Sequence, residues 1–240
     1  MDAGNSNYTD YVRDKYNQYG GPKDPWHRYA QERIDHFTGQ LVREAGLPEN
    51  AYLLNAGSSG NDHGLTEFRQ MHVDLAEATI QHLPEHIQGS VESIPLPDQT
   101  FDACVCVGSV LNYADGMKTI RELTRLLKPG GILVIEFEIS NSAEYLFTKH
   151  GGADQAFVST FLNYEEERIN VYSRSAIFSL LDELGLRRER VVAFHVLSPW
   201  VYRLTGSINF AARFAALDPL VRWSWLSRRA GNLILRCRKS

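Results

Sequence analysis

GSVESIPLPDQTFDACVCVGSVLNYADGMKTIRELTRLLKPGGILVIEFE, residues 89–138, decides the fold. It contains two short apolar runs, FDACVCVG and GILVIEFE, with GMKTIRELTRLL between them. Met117, Ile120, Leu123 and Leu127 recur at helical spacing, which predicts a helix from about Gly116 to Leu127, and KPGG then reads as stop, turn and re-entry into a strand. Two strands joined through a helix lie parallel. Outward from this block, AYLLN and MHVDL read as earlier strands, and RVVAFHVL and NLILRCR as later ones. Ser173 or Ser175 caps a helix through AIFSLLDEL, which Gly185 ends. An aromatic-rich helical segment precedes them all, with Ile34, Phe37, Leu41 and Val42 at helical spacing and Gly46 as its stop. Alternating strands and helices imply a mostly parallel sheet covered on both faces.

The chain of 240 residues is long enough for one sizeable core, and no Pro, Gly or Ser-rich linker divides it, so a single domain over 1–240 is expected. Lys plus Arg number 25 against 29 acidic residues, a net charge of -4, which argues against a nucleic-acid binder. No apolar run is long enough to span a membrane, and MDAGNSNYTD lacks the apolar core of a signal peptide, so a soluble cytoplasmic protein is expected. Three cysteines offer neither a disulfide framework nor a zinc spacing, and no metal is expected. Cys104 and Cys106, two apart on a strand, share one face as small core hydrophobes, and Cys237 reads the same way.

In an open parallel sheet, ligands bind at the carboxyl ends of the strands where the strand order reverses, and the turn after the first strand is the usual cradle. LLNAGSSGND, residues 53–62, occupies that turn. Gly57 and Gly60 permit backbone conformations that other residues resist, while Ala56, Ser58 and Ser59 are small enough to let a ligand approach the main chain. Nineteen residues after Asn55, Asp74 ends MHVDL, where a carboxylate is placed to accept both hydroxyls of a ribose.

The 89–138 block with this turn and acidic residue closely resembles the class I S-adenosylmethionine-dependent methyltransferases, through GSVESIPLPDQTFD, the following strand and helix, and LKPGG. The resemblance runs continuously from about Ala51 to Glu138, with a weaker echo in the N-terminal helix and in YSRSAIFSLLDELGL. It implies an α/β, Rossmann-like, mostly parallel seven-stranded sheet with helices on both faces and the last strand antiparallel. It also implies S-adenosyl-L-methionine as cofactor. On that basis Asn55, Ala56, Gly57, Ser58 and Ser59 would form the turn around the methionine part, Asp74 would hold the ribose, and Leu75 would pack on the adenine. Val91 and Glu92 would border the adenine ring, Val107, Gly108 and Ser109 would line the pocket after the fourth strand, and Asn112 and Tyr113 would face the methyl or the acceptor. The chain would divide into an N-terminal helical lid (1–50), a cofactor-binding half (51–140) and an acceptor-side half (141–240).

The sequence departs from the family pattern where Asn55 and Ser90 replace acidic residues and where Ser59 and Asn61 replace glycines. An amino acid and a sulfonium demand less backbone approach than a pyrophosphate does, so serine is tolerable in the turn. Asn55 removes a carboxylate acceptor for the cofactor's ammonium, a charged hydrogen bond of roughly 1.5 to 3 kcal/mol. The nineteen-residue spacing leaves room only for a turn or stub around Gly64 to Gln70.

Tyr145 and Lys149, four apart in YLFTK, mimic the catalytic pair of short-chain dehydrogenases. The glycine turn lies too deep in the chain relative to that pair, and the 89–138 block fits the other pattern far better. A second alternative is a methyltransferase-like binding protein that is weak or inactive, for which Asn55 is the supporting feature.

Methyl transfer is an in-line displacement, so the protein's work is alignment and exclusion of water, with a base needed only if the acceptor carries a proton to remove. Tyr113, Glu138 and His150 border the expected pocket, but packing, solvated or substrate-orienting roles are favoured over catalysis for each, so no catalytic residue is assigned. Acceptor contacts are expected from three added segments. These are the N-terminal region with Tyr8, Tyr11, Tyr16, Tyr19 and Trp26, the stretch 141–170, and an insertion from about 198 to 231. The last carries five arginines and one aspartate among Trp200, Tyr202, Phe210, Phe214, Trp223 and Trp225. A cover helix that buries its aromatics and leaves its arginines in water is favoured over a membrane-surface helix or a dimer face. The aromatic lids favour a small organic acceptor over a protein or nucleic acid.

Overall fold

The computed structural model describes residues 6–221 and 225–240; Trp223 and the first five residues of MDAGNSNYTD lie outside them. Among the described residues the strands are β1 (Tyr52–Ala56), β2 (Arg69–Asp74), β3 (His86–Gln88), β4 (Phe101–Cys106), β5 (Leu127–Glu138), β6 (Gln155–Leu162), β7 (Glu165–Tyr172), β8 (Leu186–Phe194) and β9 (Asn232–Lys239). The α-helices are α1 (Ser6–Asn17), α2 (Pro25–Arg43), α3 (Glu77–Ile80), α4 (Val110–Tyr113), α5 (Gly116–Leu126), α6 (Arg174–Glu183), α7 (Ser198–Thr205), α8 (Ile208–Ala215) and α9 (Asp218–Val221).

Seven strands form one sheet in the order β3-β2-β1-β4-β5-β9-β8. β1 to β5 pair in parallel, and β9 runs antiparallel between β5 and β8. This is the expected Rossmann-like sheet, with the strand order reversing between β1 and β4. β4 alternates across it: Cys104 and Cys106 enter the core that α5 and α6 cover, whereas Ala103 and Val105 enter the core beneath α2. Cys237 is also fully buried in the first core.

Local chemistry accounts for the helices. Asp115 caps α5 by accepting from Lys118 N, and Thr119, Ile120, Leu123 and Leu126 form its buried stripe. Ser173 accepts from Ala176 N at the start of α6, and Gly185 follows that helix at φ +70. KPGG differs from the expected loop. α5 passes directly into β5, and the Lys128–Gly131 stretch makes an irregularity in pairing with β4. A side chain at Gly131 would stand 2.9 Å from Lys128 O and 3.0 Å from Asp102 O, which is why the chain needs glycine there.

The N-terminal segment is two helices, because GGP at 20–22 interrupts it and Asp24 starts α2 afresh by accepting from His27 N. α1 is clasped by the β6–β7 hairpin, where Tyr8 and Val12 pack with Phe157 and Lys15 pairs with Glu167. At the other end of α1, Asn17 accepts from Ala78 N beside α3. α1 thereby lies across the carboxyl ends of the strands.

The insertion at 198–231 is a run of short helices. Arg203, Arg213 and Arg228 are exposed, as the cover-helix reading expects, and Tyr202 is half-buried. The aromatics only partly obey it: Phe210 and Trp225 are exposed, as are Leu204 and Leu220 of the same insertion. No described helix is long and apolar enough to cross a membrane.

Candidate active site

A cavity of about 350 Å³ opens at the reversal point of the sheet. Its floor is the turn after β1, where Gly57, Ser59, Gly60, His63 and Gly64 all take positive φ. Gly57 cannot be replaced without conflict, since a Cβ there would fall 2.4 Å from Val110. Ser59 holds φ +45, a conformation glycine adopts more readily, which gives the family's preference for glycine at this position a physical reason.

Asp74 ends β2 on the cavity wall. Its Oδ2 accepts from Ser59 N at 2.8 Å and its Oδ1 from Ala76 N at 2.8 Å, so one carboxylate fixes the turn and still offers lone pairs to the cavity. Burial pushes this carboxyl up, while the backbone amides of Ala76, Ser59 and Leu75 pull it down. Leu75 and Val91 supply apolar wall, and Glu92 is anchored by the Asp115 N–H at 2.9 Å and by Lys118. Val107 and Gly108 form the opposite wall, with open space on the Cβ side of Gly108. Thr9, Val12, Tyr16 and Tyr19 cover the cavity from the N-terminal segment. Among the described residues no Lys or Arg lines it, so a pyrophosphate would find neither of its usual cationic partners there.

Gly57, Ser58, Ser59, Asp74, Leu75, Val91, Glu92, Val107 and Gly108 thus meet around one cavity, together with Tyr16, Tyr19 and Tyr113. Other sequence-predicted residues lie elsewhere. Asn55 points away into the turn, its Nδ2 donating to Asn61 O at 2.8 Å and Gln70 Oε1 at 3.3 Å. Ala56 is buried beneath the turn. Ser109 lines a smaller adjoining hollow, its N–H turned to Glu136. Asn112 is fully buried as a brace, accepting from Glu138 N and donating to Asn170 O. His150 follows a turn at Thr148 and lines none of these cavities. Trp26 stacks on His195 at 4.2 Å and faces a separate hollow. Tyr145 and Lys149 share no α-helix, which removes the dehydrogenase-like geometry.

Two hollows of about 60 and 30 Å³ lie beyond Tyr113 and share Glu138. Both also share Phe161; the first adds Tyr16 and Tyr19, and the second adds Trp26, Glu144 and Tyr202. Burial, reinforced by the charge of Glu144, pushes Glu138 up to about 8, and burial pushes Glu144 up to about 7. Burial also pushes Tyr113 well above the ordinary phenol range.

Two further polar residues organise the site. Glu136, fully buried in β5, accepts from Gly108 N at 3.1 Å, Ser109 N at 2.7 Å and Asn232 Nδ2 at 2.7 Å. Asp35, on α2, reaches the cavity wall and accepts from Asn61 and His63 of the turn. A carboxylate inside an apolar strand run was the available signal for Glu136; Asp35 had none, because its partners on the turn, Asn61 and His63, lie far along the chain.

The sheet order with an antiparallel β9, the glycine turn and Asp74 over one cavity define a class I methyltransferase fold. Residues 54–135 match the family described as methyltransferase domain. The ubiquinone/menaquinone biosynthesis C-methyltransferase UbiE of Enterobacter sp. (strain 638) is 43% identical over 54 residues, 22% of each chain. The match therefore spans about a fifth of that relative's length. Geranyl diphosphate C-methyltransferase from Streptomyces coelicolor A3(2), solved with Mg2+, geranyl diphosphate and S-adenosyl-L-homocysteine, is 15% identical with a TM-score of 0.62 over 97% of this chain and 98% of that one. The [4+2]-cyclase SpnF is 16% identical with a TM-score of 0.56 over 92% of this chain and 84% of that one. One architecture thus carries proteins named for different reactions, and function has to be argued from the site.

Proposed function

We propose that the chain binds S-adenosylmethionine in the 350 Å³ cavity and transfers its methyl group to a small organic acceptor held beside Tyr113. The observation that carries the reading is the Asp74 carboxylate, pinned by Ser59 N and Ala76 N on a cavity wall shared with apolar Leu75 and Val91. The carboxylate suits the hydroxyls of a ribose diol as acceptor, the apolar pair suits a flanking base, and among the described residues the lining has no Lys or Arg for a phosphate. The cavity is within the range of ordinary small-molecule sites. The cofactor supplies an electrophilic methyl on a sulfonium. Tyr16 with the rest of the α1 cover, and Tyr19 just beyond that helix, exclude water, and Tyr113 with Glu138 orients the acceptor. If the acceptor carries a proton, Glu138 receives it only as the carboxylate, above about pH 8, and below that pH its carboxyl donates a hydrogen bond to the acceptor. A weak or inactive binding protein is less favoured, because Asn55, the residue that supported it, braces the turn and does not line the cavity. A cytoplasmic protein without nucleic-acid partners is part of the same proposal.

Calorimetric titration with S-adenosylhomocysteine tests the cofactor assignment. Wild type binds, and Asp74→Ala weakens binding about tenfold to a hundredfold, as expected for hydrogen bonds to a charged group of roughly 1.5 to 3 kcal/mol. Equal affinity in the variant would remove the ribose role, and no binding by wild type at millimolar ligand would remove the cofactor.

The acceptor side predicts an unusual pH response. The folded state holds the Glu138 proton up to about pH 8, whereas the unfolded chain releases it near the ordinary carboxylate value of 4.5. Stability of the free protein therefore falls as pH rises through that window. Glu144, Asp74 and Glu136 act in the same direction. Thermal midpoints measured between pH 5 and 8.5 should decline in wild type and decline less in Glu138→Gln. A midpoint rising across the window, identically in both proteins, would refute the assignment.

A further inference from the structure

The turn after β1 lies between two carboxylates. Asp74 accepts from Ser59 N on one side, and Asp35 accepts from Asn61 Nδ2 at 2.9 Å and His63 Nδ1 at 2.7 Å on the other. Asp35 also receives Gln31 Nε2 at 3.0 Å from the preceding turn of α2. All three bonds fall on Oδ1. Among the described residues Oδ2 has no hydrogen-bond partner, and the side chain is 38% exposed at the cavity wall. The neighbours of Asp35 on α2, Ile34 and Phe37, anchor the helix in the core, so the carboxylate is held from both its own helix and the turn.

The other acids of the cavity are already engaged: both oxygens of Asp74 take backbone amides, and Glu92 takes Asp115 N and Lys118. Among the described residues Asp35 therefore supplies the open carboxylate oxygen at the turn's outer side, in a cavity where no Lys or Arg of those residues is part of the lining. Burial raises its proton affinity, but the bonds from His63, Gln31 and Asn61 outweigh this and hold the carboxyl below its ordinary range, so it is ionised at neutral pH. An ammonium group complements such an oxygen.

Resting on the cofactor reading above, we propose that Asp35 binds the ammonium of the cofactor's amino-acid end through Oδ2, taking the role that the family's acidic residue would have at Asn55. Asn61, His63 and Gln31 are positioning residues that aim this oxygen. The carboxylate has thus moved from the end of β1 to α2 of the N-terminal segment.

The test compares S-adenosylhomocysteine with 5′-methylthioadenosine, which keeps the nucleoside but lacks the amino-acid end, by calorimetry on the full chain. Asp35→Asn, nearly isosteric, should weaken S-adenosylhomocysteine about tenfold or more and leave 5′-methylthioadenosine within about twofold. Unchanged S-adenosylhomocysteine affinity, or an equal loss for both ligands, would overturn the proposal, the latter because Asp35 would then only shape the turn. Should the variant fold poorly, the wild type with the deamino analogue of S-adenosylhomocysteine reads the same contact: a comparable loss supports it, and full affinity overturns it. Failure of wild type to bind either nucleoside would instead bring down the cofactor reading, whereas tight binding indifferent to Asp35 removes only this residue's role.

Discussion

Replacing Glu136 by leucine is expected to lower stability by about 3 to 5 kcal/mol, more than any other single change at the site. Leucine suits the apolar surroundings in β5, yet it leaves Gly108 N, Ser109 N and Asn232 Nδ2 without their acceptor. Each stranded buried donor costs about 1 to 3 kcal/mol, partly offset by relief from burying a carboxyl. For a chain of this size the thermal midpoint should drop on the order of 10 °C. The damage also reaches the cavity. Ser109 sits at φ +60, and the turn it shares with Gly108 forms the wall after β4. Without an acceptor in the sheet that turn relaxes, so S-adenosylhomocysteine affinity should fall together with stability. Glu136→Gln keeps one carbonyl oxygen for the two backbone amides and should lose less than half as much. A Glu136→Leu protein that melts within about a degree of wild type would show that the three bonds contribute little.

The parts of the fold that were readable from the sequence are those set by local periodicity and capping. The stripe on α5, the Ser173 cap and the alternation of Cys104 and Cys106 with Ala103 and Val105 depend on spacing alone. Asp74 and its turn were readable because they belong to one strand–turn–strand unit. What was misjudged or missed depends on contacts between distant segments. Asn55 fitted the family's cofactor position, but its amide bonds Asn61 O and Gln70 Oε1, which no pattern in YLLNAGSSGND discloses. Asn112 looked exposed to the acceptor beside Tyr113, and is instead claimed by Glu138 N and Asn170 O. Asp35 carries no local mark, since His63 reaches it from 28 residues away. The interruption of the N-terminal helix at Gly20, Gly21 and Pro22 was legible in principle. Helical spacing in the Ile34–Val42 stretch outweighed it.

These distant contacts make the reverse substitution informative. Asn55→Asp restores the acidic residue that the family pattern prefers, and on pattern alone it should improve cofactor binding. The geometry requires the opposite. Asn55 is 2% exposed, and its Nδ2 faces two acceptors, Asn61 O at 2.8 Å and Gln70 Oε1 at 3.3 Å. An aspartate puts a carboxylate oxygen against both. Gln70 cannot simply turn its amide toward the new charge, because its Nε2 already donates to Leu65 O at 2.9 Å. A buried charge facing acceptors should cost about 2 to 4 kcal/mol and disturb the turn that presents Asp35. The expected result is a lower thermal midpoint at pH 7.5 and S-adenosylhomocysteine affinity no better than wild type. Protonation restores a donor at position 55, so the difference in midpoint between variant and wild type should narrow as pH is lowered toward 5. The sign follows because a carboxyl buried among acceptors has its folded pKa raised, and its penalty grows as pH rises past the unfolded value. A tenfold gain in affinity for Asn55→Asp would mean that position 55 does reach the cofactor, and the assignment of the ammonium to Asp35 would have to be withdrawn.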